Sequence, residues 1–302
     1  MDLFKSKIVD AQNIVVFSGS GLSATSGMST FSTKGGLYER AQRQFKVNDG
    51  KLLFTYSFYS KHKKGAESFF VEIHKEALRA NPGPGHNALA VLGRSGRLAR
   101  HYTLNIDGLA SKAGMDLWHP EDNVNGITVE MHGSIHEIVC TECGETRLLT
   151  QEDADVLSKE TSIPCPSCST QEDGGPYMRF KVMLYDDMEG EYITSDDVLD
   201  LMEEDVKKAD VVMWVGISFQ QSASTSYFRK VRRWLQEEER QQEVPQVVVN
   251  PSDDALWNVM TACSNQQELN ILEIIGTADD ILPMVANATS KSVTVPCPMN
   301  SN

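Results

Sequence analysis

Four of the six cysteines fall in two close pairs, Cys140-Thr-Glu-Cys143 and Cys165-Pro-Ser-Cys168. Twenty-one residues separate the pairs. Two C-x2-C knuckles at this spacing suit tetrahedral thiolate coordination of zinc, and four protein ligands leave no open position, so the expected ion is structural. Neither pair stands at a strand-to-helix junction of a main sheet, where a redox C-x-x-C would be expected. Cys263 and Cys297 stand alone and read as a core thiol and a tail thiol.

A second candidate is Gly19-Ser20-Gly21, followed by Ser23 and Gly27, after the apolar run Ile14–Phe17. Glycines after a first strand let backbone N–H groups approach a pyrophosphate, and a helix start there favours negative charge. The spacing is not GxGxxG, since position 24 is Ala and the next glycine is Gly27. By itself the segment is equally a structural tight turn. Asn105 and Asp107 end another candidate strand, where they are either ligand contacts or ordinary turn formers. His132, in Glu130-Met131-His132-Gly133, precedes the cysteines; an isolated histidine is more often a surface or satisfied core residue. His86 reads as a residue that caps or packs locally, and His136 as a ligand or nothing, with no role favoured. Asp186, Asp187, Glu189 and Glu191 form an acidic cluster, a candidate for a metal or cationic substrate but read as a solvated loop.

The elements that must position these groups follow from the apolar pattern. Ile14–Phe17, Arg100–Leu104, Val211–Val215, Val247–Val249 and Ile271–Ile275 read as short strands. Ala66–Ala80, His86–Leu92, Asp196–Lys208, Ser224–Gln242 and Asp279–Ala286 read as helices. Residues 33–58 are expected to be a mobile, partly helical excursion. Residues 134–178, which carry both cysteine pairs, are expected to be a metal-held insert with little core. Buried strands alternating with helices predict an α/β fold, a Rossmann-like open parallel sheet covered on both faces. In such sheets the ligand crevice lies outside the carboxyl ends of the strands. Gly19–Ser23, Asn105–Asp107, Gly216–Ser218 and Asn250 are therefore expected to converge.

Hydrophobic residues make up 40% of the chain, enough for a sizeable core, and the formal charge is −14. That charge opposes non-specific nucleic-acid binding, which needs a basic footprint, and favours a cationic partner such as a Lys-rich peptide. There is no apolar span of membrane length and no signal-peptide pattern, so an intracellular address, cytoplasm or nucleus, is expected. Oligomeric state is left open.

Taken in order, these motifs resemble the sirtuin (Sir2) family of NAD-dependent protein deacylases. GSGLSATSGMSTF at 19–31 is similar to the family's GAGxSxxSGIPDFR segment, and TLNID at 103–107 to TQNID. MHG at 131–133 matches the HG step, the four cysteines follow, GIS at 216–218 resembles GTS, and VN at 249–250 resembles the strand-end Asn near the adenosine. The resemblance covers roughly residues 5 to 288. It implies a Rossmann-like domain from segments 5–32, 82–133 and 192–288, a cofactor loop and helical module at 33–81, a zinc-ribbon module and substrate strand at 134–191, and a tail at 289–302. It implies NAD in the cleft between the domains and an acyl-lysine protein or peptide as substrate. His132 would be the general base, Asn105 and Asp107 would place the nicotinamide end, and Gly19, Ser20, Gly21, Ser23, Gly216, Ser218 and Asn250 would line the cofactor path. Phe31 would shield the reactive ribose carbon.

The departures are concentrated at both ends of that cleft. Where the family reads Ile-Pro-Asp-Phe-Arg, this chain has Met28-Ser29-Thr30-Phe31-Ser32, so the Pro, Asp and Arg are absent. The substrate strand, normally like VVFFGE, reads Lys181-Val182-Met183-Leu184-Tyr185-Asp186-Asp187, without the glycine. Leu104 and Ile217 replace the Gln of TQNID and the Thr of GTS. Tyr38 is followed three positions later by Ala41, so the Tyr-x-x-Arg spacing for acidic acyl groups is absent. The activity implied is lysine deacylation; ADP-ribosyl transfer or NAD hydrolysis, and a catalytically weak NAD-binding scaffold, remain as alternatives.

Overall fold

The computed structural model describes residues 8–159, 161–168, 175–187, 192–262 and 270–290. Cys263, Cys297, Glu189 and Glu191 lie outside them. The strands, in chain order, are β1 (Ile14–Ser18), β2 (Leu98–Thr103), β3 (Thr128–Glu130), β4 (Gly133–Cys140), β5 (Thr146–Leu148), β6 (Ile163–Pro164), β7 (Tyr177–Val182), β8 (Val211–Val215), β9 (Gln246–Asn250) and β10 (Ile271–Ile275).

Six of them form a parallel sheet in the order β10-β9-β8-β1-β2-β3. Every residue of β1 and β8 is buried, which explains the apolar runs Ile14–Phe17 and Val211–Val215, since helices cover both faces; Ser18, the last residue of β1, is buried with its hydroxyl bonded to His101 Nε2 at 2.7 Å. Alternate side chains divide between two cores. Ile14 and Val16 of β1, with Val211, Met213 and Val215 of β8, pack on one side with Leu89, Leu92, Leu282 and Val285 of the helices Pro84–Arg94 and Ala278–Ser290. Val15, Phe17, Val212 and Trp214 pack on the other with residues of Asp197–Lys208 and Ser222–Glu237. Phe17 stacks on Trp214 with ring centroids 4.2 Å apart.

The order reverses at β1, whose neighbours β2 and β8 run outward in opposite directions through the chain. A doubly wound sheet opens a crevice at that point, beyond the carboxyl ends of the two central strands.

A second, antiparallel sheet has the order β5-β4-β7-β6. It was expected to carry little core. Instead, Ile138, Met178 and Phe180 pack with Phe69, Phe70, Ala77 and Leu157 from the helices Lys63–Arg79 and Gln151–Ser158. The cysteine-bearing sheet is thus fastened to the helical segments by apolar burial. Within 33–58, Leu37–Phe45 is helical and Gly50–Phe54 is a short 3-10 turn, and Leu37, Ala41, Leu53 and Phe54 are buried in this core. The helix expected to run to Gln242 ends at Glu237; Glu239 adopts a left-handed φ of 57° beyond it. Among the described residues no helix is long and apolar enough to cross a membrane.

Candidate active site

Gly21 and Gly216 meet at the switch point. A Cβ on Gly21 would lie 2.6 Å from the Gly216 Cα, and Gly216 has φ 64°, so neither position accepts a side chain without moving backbone. This contact lets the loop after β1 lie directly on the loop after β8: Gly19 N–H donates to Val215 O and Gly21 N–H to Gly216 O, each at 3.0 Å.

Above this contact a cavity of about 250 Å³ opens between the parallel sheet and the smaller unit. Gly19, Ser20, Phe31, Asn105, His132, Gly216 and Ser218 all line it. Ser23 and Asp107 line a smaller adjoining recess that also touches Ser20, Phe31 and Asn105. Gly21 and Asn250 line neither: Gly21 packs on Gly216, and Asn250 Nδ2 donates to Ile217 O at 3.1 Å, bracing the loop after β8. No Lys or Arg is among the described residues lining either space.

His132 follows β3, at the crossing from one sheet to the other. Its Nδ1 donates to Leu104 O at 3.1 Å, which leaves Nε2 as the ring's acceptor. Burial pushes its pKa down to about 4, against a smaller opposing pull from the Leu104 carbonyl, so the ring is neutral near pH 7.

Asn105 and Asp107 are tied together through Ser23. The Ser23 hydroxyl donates to Asp107 Oδ2 at 2.6 Å and accepts from Asn105 Nδ2 at 3.1 Å, while Asn105 Nδ2 also reaches Gly19 O at 3.1 Å. Leu109 N–H donates to Asp107 Oδ1 at 3.0 Å. His86 joins this network, a connection its sequence position did not signal. Gly83 N–H donates to His86 Nδ1 at 3.3 Å, so the proton sits on Nε2, which faces Ser23 Oγ at 3.4 Å. The expected local cap is present, and the same ring supports Ser23. His136, for which no role was favoured, reaches Asp107 O through Nε2 at 3.0 Å.

The altered loop has its own closure. Arg40 donates to Ser29 Oγ at 3.2 Å and pairs with Glu72 and Glu76, and Thr30 and Thr33 share a hydrogen bond. Ser32 faces the cavity and is exposed. Of the acidic cluster read as a solvated loop, Asp186 is exposed, whereas Asp187 is not solvated. Asp187 is paired with buried Arg179, and Asp186, at a left-handed φ of 54°, accepts Tyr56 N–H through Oδ1 at 2.7 Å. Tyr185, beside them, donates from Oη to Gln221 Oε1 at 3.1 Å.

The cysteines lie apart from the cavity. All four Sγ atoms are within 4.8 Å of one another, with Cys140–Cys168 at 3.8 Å and Cys143–Cys165 at 3.7 Å. A ZnS4 tetrahedron with bonds of about 2.3 Å has edges of about 3.8 Å, so the donor set fits a zinc ion. The amides of Glu142 and Cys143 point at Cys140 Sγ, at 3.3 and 3.5 Å, as they would toward a thiolate.

A doubly wound sheet, a glycine loop on its switch point and a separate four-cysteine sheet define a Rossmann-like α/β protein with a four-cysteine subdomain. Residues 19–223 match the model of the Sir2 family. The chain is 27% identical over 241 residues to the NAD-dependent protein deacetylase hst4 of Emericella nidulans, a match covering 72% of this chain and 38% of that protein. It is 31% identical over 215 residues to an NAD-dependent protein deacylase of Pyrococcus furiosus, covering 70% of this chain and 75% of the other. A mutant Sir2 homologue in complex with ADP-ribose has the same fold, with a TM-score of 0.70 at 20% identity over 98% of this chain and 99% of that one. The chain belongs to the Sir2 family.

Proposed function

We propose that the protein removes an acyl group from protein lysine at the expense of NAD, giving nicotinamide and O-acyl-ADP-ribose. The observation that carries this reading is that His132, Asn105 and the Gly19–Ser20 loop share one cavity at the switch point, with Asp107 linked to Asn105 through Ser23. NAD supplies an activated ribose carbon from which nicotinamide departs. The chain supplies geometry. The backbone of Gly19 and Ser20, with Gly216 and Ser218 opposite, forms the floor against which the cofactor would lie, and Gly21 and Asn250 hold that floor in shape. Ser23 orients Asn105 and Asp107 toward the nicotinamide end. Phe31 packs its ring between Tyr38 and Phe54, with centroids at 5.7 and 5.4 Å, and excludes water from the reacting carbon. His132 Nε2 receives the ribose hydroxyl proton. A peptide rich in lysine is drawn by the chain's charge of −14.

We assign one structural zinc to Cys140, Cys143, Cys165 and Cys168. The parallel sheet and its helices, from 5–32, 82–133 and 192–288, are read as the cofactor domain. Segment 33–81 is read as the loop and helical module, and 134–191 as the zinc and substrate-strand region.

A second reading, NAD hydrolysis or ADP-ribosyl transfer, is favoured by Ser32: an exposed serine lines the cavity where the family has arginine, so no guanidinium fixes the cofactor there. The deciding experiment incubates the protein with NAD and acetyl-lysine peptide and resolves the products by mass spectrometry. O-acyl-ADP-ribose formed only with peptide supports deacylation. Free ADP-ribose or modified protein formed without peptide supports the second reading. Absence of nicotinamide release in both samples refutes both.

A further inference from the structure

We propose that Tyr185 and Gln221 form a gate across the channel by which acyl-lysine reaches His132, held shut by the hydrogen bond between them. The proposal rests on the deacylation reading and names how substrate is admitted to that same site.

The two residues come from opposite walls of the cavity. Tyr185 lies three residues beyond β7, on the wall made by the smaller unit. Gln221 lies in the loop after β8, immediately before the helix Ser222–Glu237, on the wall made by the parallel sheet. Their bond, Tyr185 Oη to Gln221 Oε1 at 3.1 Å, therefore spans the space between the walls. Both are half-buried, so the bond is accessible from solvent rather than sealed in a core. The Tyr38 phenol lies against both groups; burial first, then the neighbouring Tyr185, holds its pKa well above the ordinary tyrosine value, so all three hydroxyl and amide groups are neutral. Tyr38 in turn packs on Phe31 and Phe54. The gate is thus joined to the loop that would cover the cofactor.

The strength of the closure matches a gate. A neutral hydrogen bond biases an equilibrium by about two- to tenfold. That is too weak to exclude a substrate and strong enough to reduce its apparent affinity by the fraction of molecules that are open. An acyl-lysine chain that enters passes between a tyrosine hydroxyl and a glutamine amide, with no cation among the described lining residues, which suits uncharged acyl groups over carboxylated ones.

The test measures binding of a fluorescein-labelled acetyl-lysine peptide to the full chain saturated with ADP-ribose, by anisotropy, for the wild type, Tyr185→Phe, Gln221→Leu and the double variant. Each single change should tighten binding by about two- to tenfold, and the double should bind no tighter than the better single, because both break the same Tyr185–Gln221 bond, whichever bond to Tyr38 each also gives up. Weaker or unchanged binding in the singles, additive gains in the double, or no peptide binding by any of the four overturns the gate. The same samples, given NAD and analysed for O-acyl-ADP-ribose, separate the two ideas. Tightened binding without product leaves the gate and removes deacylation, whereas product formation with unaltered affinities removes the gate alone.

Discussion

Replacing Ser23 by alanine tests whether the network behind the cavity holds the site together. The hydroxyl is 2% exposed as part of its residue and joins three partners. Its loss takes a 2.6 Å donor from the Asp107 carboxylate, a 3.1 Å acceptor from Asn105 and the acceptor facing the His86 Nε2–H. A hydrogen bond to a charged group contributes about 1.5–3 kcal/mol, and a buried donor left unpaired costs about 1–3 kcal/mol. Asp107 keeps Leu109 N–H and Asn105 keeps Gly19 O, so the lower half of each range applies and the expected loss of stability is about 3 kcal/mol. Unfolding entropy of about 2.1 cal/mol/K per residue converts this to a fall in Tm of about 5 °C for a chain of this size. Differential scanning calorimetry reads the Tm, and nicotinamide release at varied NAD reads the site. If Ser23 positions Asn105 and Asp107, kcat/KM for NAD falls at least tenfold, about 1.4 kcal/mol in transition-state stabilisation. A Tm within 1 °C of the wild type, to the precision of about half a kcal/mol, together with unchanged kcat/KM would refute the account of this network.

His132→Ala should abolish O-acyl-ADP-ribose formation while the fold, read by far-ultraviolet circular dichroism, is kept; persistence of the rate would remove His132 as base. Because burial holds His132 down to about 4, the acid limb of kcat/KM in the wild type should fall near pH 4, and a limb near 6.5 would show that the ring is not desolvated in the free enzyme. Elemental analysis should find about one zinc per chain, and Cys165→Ser, which removes a buried ligand, should release it and lower Tm; a metal-free wild type with an unchanged melting profile would remove the assignment. Glu67 is wholly buried beside Tyr59, and burial raises its pKa to about 7. Its folded form holds a proton that the unfolded form gives up, so its contribution is full below about 4.5 and is lost as pH rises through about 7. That loss is of the order of 3 kcal/mol, and Glu67→Gln should remove it, raising Tm at pH 8 far more than at pH 4.5. Equal shifts at the two pH values would contradict that titration.

The parts of the molecule legible in the sequence are those whose pattern is local. β8 and β10 span Val211–Val215 and Ile271–Ile275, as their apolar runs predict; β8 is buried along its whole length, whereas β10 is a partly exposed edge strand with Glu273 at its centre. The helix around Phe69, Phe70 and Ile73 is periodic and capped by a Pro-Gly stop, although its start at Lys63 carries no apolar signal. β3 escaped because it is three residues long at the edge of the sheet. The core of the cysteine sheet escaped because Ile138 and Phe180 become interior only when Phe70, far off in the chain, covers them. The same holds in the site. Glycine loop, Asn105 and His132 are short motifs, but the links of Ser23 to His86 and of Tyr185 to Gln221 join residues 63 and 36 positions apart. Nothing in either local sequence encodes such a pairing.

Asp186 has a further consequence for what the protein can recognise. Tyr185 N–H is bonded to Phe54 O at 2.7 Å, Tyr185 O accepts Tyr56 N–H at 2.9 Å, and Asp186 anchors the same Tyr56 amide. The main-chain groups of Tyr185 are already spoken for by the chain's own helical segment. A visiting peptide cannot extend a ladder at that residue and meets side chains there instead. Main-chain pairing is indifferent to sequence, whereas side-chain contact is not. Tyr185, the residue before the position where the family's glycine is missing, would therefore meet a peptide substrate through its side chain and not through a main-chain ladder.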